Sequence, residues 1–567
     1  MWPKVLIAIA LITLIVLPTS DLFAHGGRFK APVAGSTPGD SADGSSSISS
    51  GVQKGFSFPG GGPQVAFRET MWEFWWDFHH EPLLGLRKSL FSRTPSAGVI
   101  DFPFEKITTK DKRSKLVKKL LGNLRAKEQS VRAAAVVALA RTRDDSVVPY
   151  IEITYTNDKS THVRTMAVLA LGITRNERAV KILESIMNDD SELTELRLFA
   201  AVSLGLIGGE DVAVVLRRYL EAKSFKKLER DLRRGVAFAS GLTLDPTLAP
   251  MVSSLLSNKV DNDWITESFL VLSLGRLGYR AANPILIEYL NEGRVQVRRS
   301  AAISLGVTAS PSDKDVIQAL KKASDSDADL MVKNFCHIAL GKVGGPEAEK
   351  YLLKVFASTN LTRVPFVAIG LGLLGNPNNG AVLLEKYKAI KDNSTRAALA
   401  VAMGMLQYTP ALGELRKVVD SKTDPILRSY CAQALGMLRD AESIERLRKT
   451  CSETNDVELI RSSSMALGLI GDAGIYDVLL DMMDAKKSDV IRSSAAYCMG
   501  LVCDRKAIAT LTDLADDEDI PSEIRSYAIT ALGLLGDESP TPVVSLITRD
   551  NNYTIMETNL YELFNIN

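Results

Sequence analysis

The sequence predicts an all-α fold: a right-handed α-solenoid of about thirteen antiparallel helix pairs. Three observations predict it. A phrase recurs along most of the chain, it recurs at a fixed interval, and each copy carries apolar residues at helical spacing. The phrase reads "VRAAAVVALA" at 131–140, "VRTMAVLALG" at 163–172, "VRRSAAISLG" at 297–306, "LRSYCAQALG" at 427–436 and "IRSYAITALG" at 524–533. Degenerate copies close at Gly241, Gly275 and Gly372. From Ala140 to Gly533 the closing position passes through twelve intervals over 393 residues, about 33 each. A fixed period of that size marks stacked supersecondary units.

Each unit divides into two helices. In the copy that starts at Asp489, Ile491, Ala495, Cys498 and Met499 form one apolar stripe, and Gly500 ends it. Ile508, Leu511 and Leu514 form the stripe of the second helix, and "DDEDIPSE" makes the turn to the next copy. Neither helix can bury its apolar face alone, so the units must stack. The closing glycine lets the next helix approach and lets the chain turn.

A basic residue sits eight positions before the closing residue: Arg132, Arg164, Arg197, Arg233, Arg298, Lys333, Arg396, Arg428, Arg492 and Arg525. Arg461 sits seven before, so that copy has lost a residue; Glu267 and Val364 replace the basic residue in two others. These side chains suit carbonyls and acidic turn residues of their own or the next repeat. Acids two to four residues upstream are candidates: Glu128, Glu195, Asp329, Asp424, Glu458, Asp489 and Glu523.

At 567 residues the chain exceeds the roughly 250–300 that one core supports, which a repeat array does not need. Its 68 basic and 67 acidic residues nearly cancel, so bulk charge points neither to nucleic acid nor to an anionic membrane. Residues 1–24 follow the order of a secretory signal peptide: Lys4, an apolar run from Val5 to Leu17, then Pro18 to Ala24. That run is short for a membrane span, which needs about 20 residues. The expected product is a periplasmic or secreted protein beginning at His25, the alternative being an uncleaved membrane anchor. Residues 25–66 are rich in Gly, Ser and Pro and read as a flexible linker.

Residues 67–104 form a Trp-rich segment before the repeats. On a helix Trp72, Trp75, Trp76 and His79 share a face. Such a stripe either caps the array or binds a partner. The repeat array is expected over 105–548 and a capping helix over 549–567, with Ile555, Leu560, Leu563 and Phe564 as its stripe.

Residues that carry chemistry are scarce. The five histidines and five cysteines show no zinc spacing, and no cofactor is expected. "GLGLLG" at 370–375 fits a dinucleotide loop by letters, but it ends a helix instead of following a strand. The stretch 217–234 holds eight basic and three acidic residues and could contact an anionic polymer. Cys498 and Cys503 could pair across a turn.

The phrase "VRxxAAxALG", preceded by "AVxxLxxxL", resembles the HEAT repeat, and more narrowly the short HEAT-like repeat of phycobilisome lyases. "HGG" at 25–27 with the Trp block is similar to exported bacterial HEAT-repeat proteins of unassigned role. The resemblance implies a scaffold or adaptor; a bilin-lyase branch and a DNA-repair branch also exist, and no catalytic residue carries over from either. The expectation is therefore a non-enzymatic scaffold outside the cytoplasm, binding a protein or peptide along an inner groove, without nucleic acid and without a membrane span in the mature chain. Small polar residues after the basic position place that groove at Ser429, Tyr430, Ser462, Ser493, Ser526 and Tyr527, with Trp72, Trp75 and Trp76 as a second contact.

Leu532→Ala or Leu467→Ala, each at the centre of a repeat stripe, should cost about 2–5 kcal/mol in urea unfolding by leaving a cavity.

Overall fold

The computed structural model describes residues 72–91, 110–358, 360–503, 505–537, 539 and 547. The signal segment 1–24, the linker 25–66 and the closing helix 549–567 lie outside the described residues. Among the described residues all regular structure is helical.

Thirteen helices carry the recurring phrase. They are Gln129–Arg141, Thr161–Thr174, Thr194–Ile207, Arg230–Leu242, Trp264–Arg276, Val295–Thr308, Leu330–Val343, Val364–Leu374, Asn393–Met405, Pro425–Met437, Val457–Ile470, Asp489–Val502 and Ser522–Gly536. Each packs along the next and together they make an inner layer. The alternate helices, from Lys110–Asn123 to Ala507–Asp516, pack on the outside of it. An extra helix, Ala222–Lys227, sits in the basic stretch, with Phe225 fully buried beneath it.

Glycine sets the spacing of the inner layer. A Cβ on Gly172 would lie 2.6 Å from Ser203 Cα, and one on Gly500 would lie 2.5 Å from Ala531 Cα. The same relation joins Gly205 to Ala239, Gly241 to Ser273, Gly275 to Ser304 and Gly306 to Ala339. In each case the closing glycine of one repeat meets the residue two before the closing position of the next. Only hydrogen, serine or alanine fits such a contact, which explains why the phrase ends "ALG" or "SLG".

Arginines tie the repeats on their polar side. Arg132 bonds both carboxylate oxygens of Asp158 at 2.7 and 3.0 Å, and Arg298 does the same to Asp327 at 2.8 Å. Arg164 pairs with Glu192 and Arg233 with Asp261. The acid is in the turn leading into the next inner helix, where sequence reasoning had favoured acids just upstream of each arginine. Arg461–Glu458, Arg492–Asp489 and Arg197–Asp190 do use an upstream acid. Two turn acids serve twice: Asp263 and Asp329 accept from Arg234 and Arg299 of the preceding repeat and also cap their own helices.

The array does not end as an open rod. The last inner helix, Ser522–Gly536, packs along the first, Gln129–Arg141. A Cβ on Gly533 would lie 2.7 Å from Ala138 Cα, the relation found between consecutive repeats. Arg525 reaches Glu128 at 3.4 Å, and Lys119 pairs with Asp516 at 3.3 Å. The expected superhelix is thus a closed ring: each repeat turns the array by one thirteenth of a circle, and the terminal repeats satisfy each other.

Gly533→Leu is expected to open this seam. A carbodiimide cross-link between Lys119 and Asp516, read by mass spectrometry, should form in the parent and be lost in the variant, with a larger radius of gyration in solution scattering. A variant that keeps the cross-link and the radius would contradict closure.

Candidate functional site

Inside the ring lies the Trp-rich helix, Trp72–Leu84, followed by Leu86–Phe91 after a turn at Gly85, whose φ is 60°. It rests on the inner helices that close at Gly404, Gly436 and Gly468. Trp72 Nε1 donates to Ser394 O and Oγ, both at 3.0 Å, and its ring lies 4.8 Å from that of Tyr430. Ser394 Oγ in turn donates to Glu73. Trp76 Nε1 donates to Gln433 Oε1 at 2.8 Å, and Gln433 Nε2 donates to Ser462 Oγ at 2.9 Å. Trp75 stacks on His79 at 4.3 Å. Buried indoles with paired N–H groups make this a specific seat, since an unpaired N–H there would cost the desolvation of a polar group.

The displaced arginine explains where the helix docks. One residue of helix is about 100° of rotation, so Arg461 turns out of the ladder and toward the Trp helix. It pairs with Glu458 at 2.8 Å and lies in the field of Asp77. Burial lowers its pKa, but Glu458 outweighs burial and the net shift is upward. The Gly468 contact also departs from the rule, since a Cβ there would meet Leu86 at 3.1 Å as well as Val502. The helical segment Leu86–Phe91 therefore wedges Leu86 in where two inner helices would otherwise close.

Beyond the wedge, Arg87 donates to the carbonyl oxygens of Ser539 at 3.0 Å, of Leu534 at 3.2 Å and of Asp537. These end the last inner helix, so the Trp segment bridges from the Gly404 helix to the seam. Burial, and then the Arg461 charge, pull the His80 pKa down to about 3. Burial pushes Tyr497, on the same cluster, up to about 12.

The structure buries all nine residues singled out for partner binding. Ser429, Tyr430, Ser462, Ser493, Ser526, Tyr527, Trp72, Trp75 and Trp76 are each at most 3% exposed. The expected groove is not open at these positions. Tyr430 and Ser462 hold the chain's own Trp helix, and Ser526 Oγ donates to Ser522 O within its helix. The residues that sequence reasoning missed are Ser394 and Gln433; a glutamine inside an otherwise apolar phrase was the available signal. The basic stretch is partly neutralised: Arg218 pairs with Glu184, Arg233 with Asp261 and Arg234 with Asp263. All five cysteines are buried free thiols, Cys498 and Cys503 included, and Cys451 also lies in the core.

A closed α-solenoid held by an internal aromatic helix is the class these features define. A family model described as HEAT repeats matches residues 117–195, 414–500 and 476–559. The chain carries HEAT repeats in these stretches. Three solved structures are similar in part. Human deoxyhypusine hydroxylase in complex with glycerol is 17% identical, over 52% of this chain and 96% of that one, with a TM-score of 0.22. The complex of CpcE and CpcF of phycocyanin lyase from Nostoc sp. is 20% identical, over 46% and 93%, with a TM-score of 0.29. Kap121p bound to RanGTP is 11% identical, over 74% and 56%, with a TM-score of 0.32. None of them bears on what this chain does. No curated protein matches the sequence.

Two buried histidines predict acid sensitivity. His80 and His337 are both held at about 3 by burial, with Arg461 and Arg363 as further causes. Between pH 3 and 6.5 the unfolded chain binds more protons at these sites, so stability falls as pH drops below 6.5. Each should cost about 3 kcal/mol at pH 4 relative to pH 7. Asp263, raised by burial but brought to about 2 by its hydrogen bonds from Arg234 and Thr266, loses its contribution only below about pH 4. Urea unfolding at pH 7, 5 and 4 should show this loss, and His80→Asn with His337→Phe should flatten it.

Proposed function

We propose that this chain is a non-enzymatic scaffold that acts outside the cytoplasm and binds a protein or peptide partner on the outer side of its ring. The observation that carries this reading is closure. Glycine contacts at most junctions and arginine pairs at many hold the outer helices in fixed positions, a pre-organised surface of the kind on which affinity is not lost to ordering. The inner face of three repeats is already taken by the Trp helix. On the outer side Tyr150 and Ile153, one turn apart on Val148–Asn157, are 45% and 57% exposed.

Burial pushes Cys451 up to about 11 and both Cys431 and Cys498 up to about 12, so none offers a reactive thiolate at neutral pH. No helix among the described residues is long and apolar enough to cross a membrane.

Cross-linking and mass spectrometry of a C-terminally tagged chain, in its own compartment, tests both parts. The mature N-terminus should be His25, and Tyr150→Glu with Ile153→Glu should remove the cross-linked partner without altering the melting temperature. A cytoplasmic product starting at Met1 would overturn the export reading, and unchanged partner capture would overturn the surface assignment.

A further inference from the structure

A pocket of about 510 Å³ opens on the rim of the ring, between the end of the Trp helix and the C-terminal ends of four successive inner helices. Its volume lies in the range of about 300–1,000 Å³ typical of small-ligand sites. Leu83, Leu84, Met405 and Met437 form apolar walls, and Gln407 and Arg439 stand among the lining residues as its polar groups. Thioethers make such walls adaptable to an alkyl chain.

The polar residues are held at a conformational cost. The third residue after the closing position adopts left-handed backbone geometry in most repeats, and glycine fills it at Gly208, Gly278, Gly344, Gly375 and Gly471. Gln407 and Arg439 occupy the same place with φ of 54° and 52°. A side chain in that conformation is disfavoured relative to glycine. Gln407 repays it by donating Nε2 to Gly404 O and Met437 O, which fixes the pocket wall. Arg175 also adopts it, in the second repeat, and there the chain supplies an anion: the buried Asp537 carboxylate acts on Arg175. At Arg439 no described residue supplies one. That guanidinium makes one side-chain hydrogen bond, to Ser89 Oγ at 3.2 Å, and no ion pair among the described residues. Most of its five N–H donors are left for another acceptor.

We propose that this pocket binds a medium-chain carboxylate, with the alkyl chain against Leu83, Leu84, Met405 and Met437 and the carboxylate on Arg439. Charge-assisted, two-pronged recognition is what a guanidinium offers a carboxylate, and the leucine and methionine walls give an alkyl chain apolar surface to lie on.

Isothermal titration calorimetry of the full chain with decanoate tests the proposal. One saturable site per chain is expected, at least tenfold weaker in Arg439→Gln and at least tenfold weaker for decanol than for decanoate. Ser89→Ala, which frees the guanidinium, should bind as well as the parent or better. Met437→Trp should abolish binding by filling the pocket, and circular dichroism melting identifies any variant that has lost its fold. Arg439→Gln sits on the surface and gives the decisive comparison. No saturable binding, uptake at several equivalent sites, or equal affinity in Arg439→Gln would each overturn the assignment.

Discussion

The ring rests on one constraint: the last turn of each inner helix must press directly on the backbone of the next. At most junctions a hypothetical Cβ would lie within 2.9 Å of the next helix, which leaves no room for a side chain on one partner, and the other partner is alanine, serine or glycine. Repeating that close approach fixes a similar small rotation at most steps. At the end of the array Gly533 meets Ala138 in the geometry that most other pairs adopt. Leucines, valines and phenylalanines of the core fill the space between layers, but they do not set the angle.

Polar groups reinforce that geometry across repeats, since an arginine in one repeat is satisfied by the turn of the next. The Arg525–Glu128 pair extends this logic over the seam, with Glu128 standing before the first inner helix as Asp158 and Asp327 stand before theirs. Where the arginine is out of register, at Arg461, the ladder is interrupted and the Trp segment enters. Its Leu86 wedge, the Trp72 and Trp76 hydrogen bonds and the Arg87 clamp on the last helix stitch the interrupted sector to the seam.

Much of the fold was legible because each repeat's needs are local. Period, helix pairing and the closing glycine follow from apolar spacing within about 33 residues. Closure was not legible, since it depends on a small angle summed over the array, and no short stretch encodes the sum. The missing residue before Arg461 was visible as an irregularity, yet its meaning needed the Trp helix beside it. Ser429, Ser493 and Ser526 were read as a groove because they are small and polar. They are buried in the packed array, and burial in a repeat leaves the same trace in sequence as an open concave face does. The pocket at Arg439 left a fainter sign: arginine and glutamine standing where sister repeats have glycine.

A ring also changes what its units experience. In an open array the outermost units have one neighbour and fray first, whereas here every unit is flanked on both sides. The first unit to melt must break two interfaces at once, which suppresses partial opening and couples distant units through the circumference. The total rotation is fixed at one full circle, so losing or gaining a unit would force every remaining junction to share the angular mismatch. The number of repeats is therefore a property that selection can hold constant even while the residues within each repeat drift.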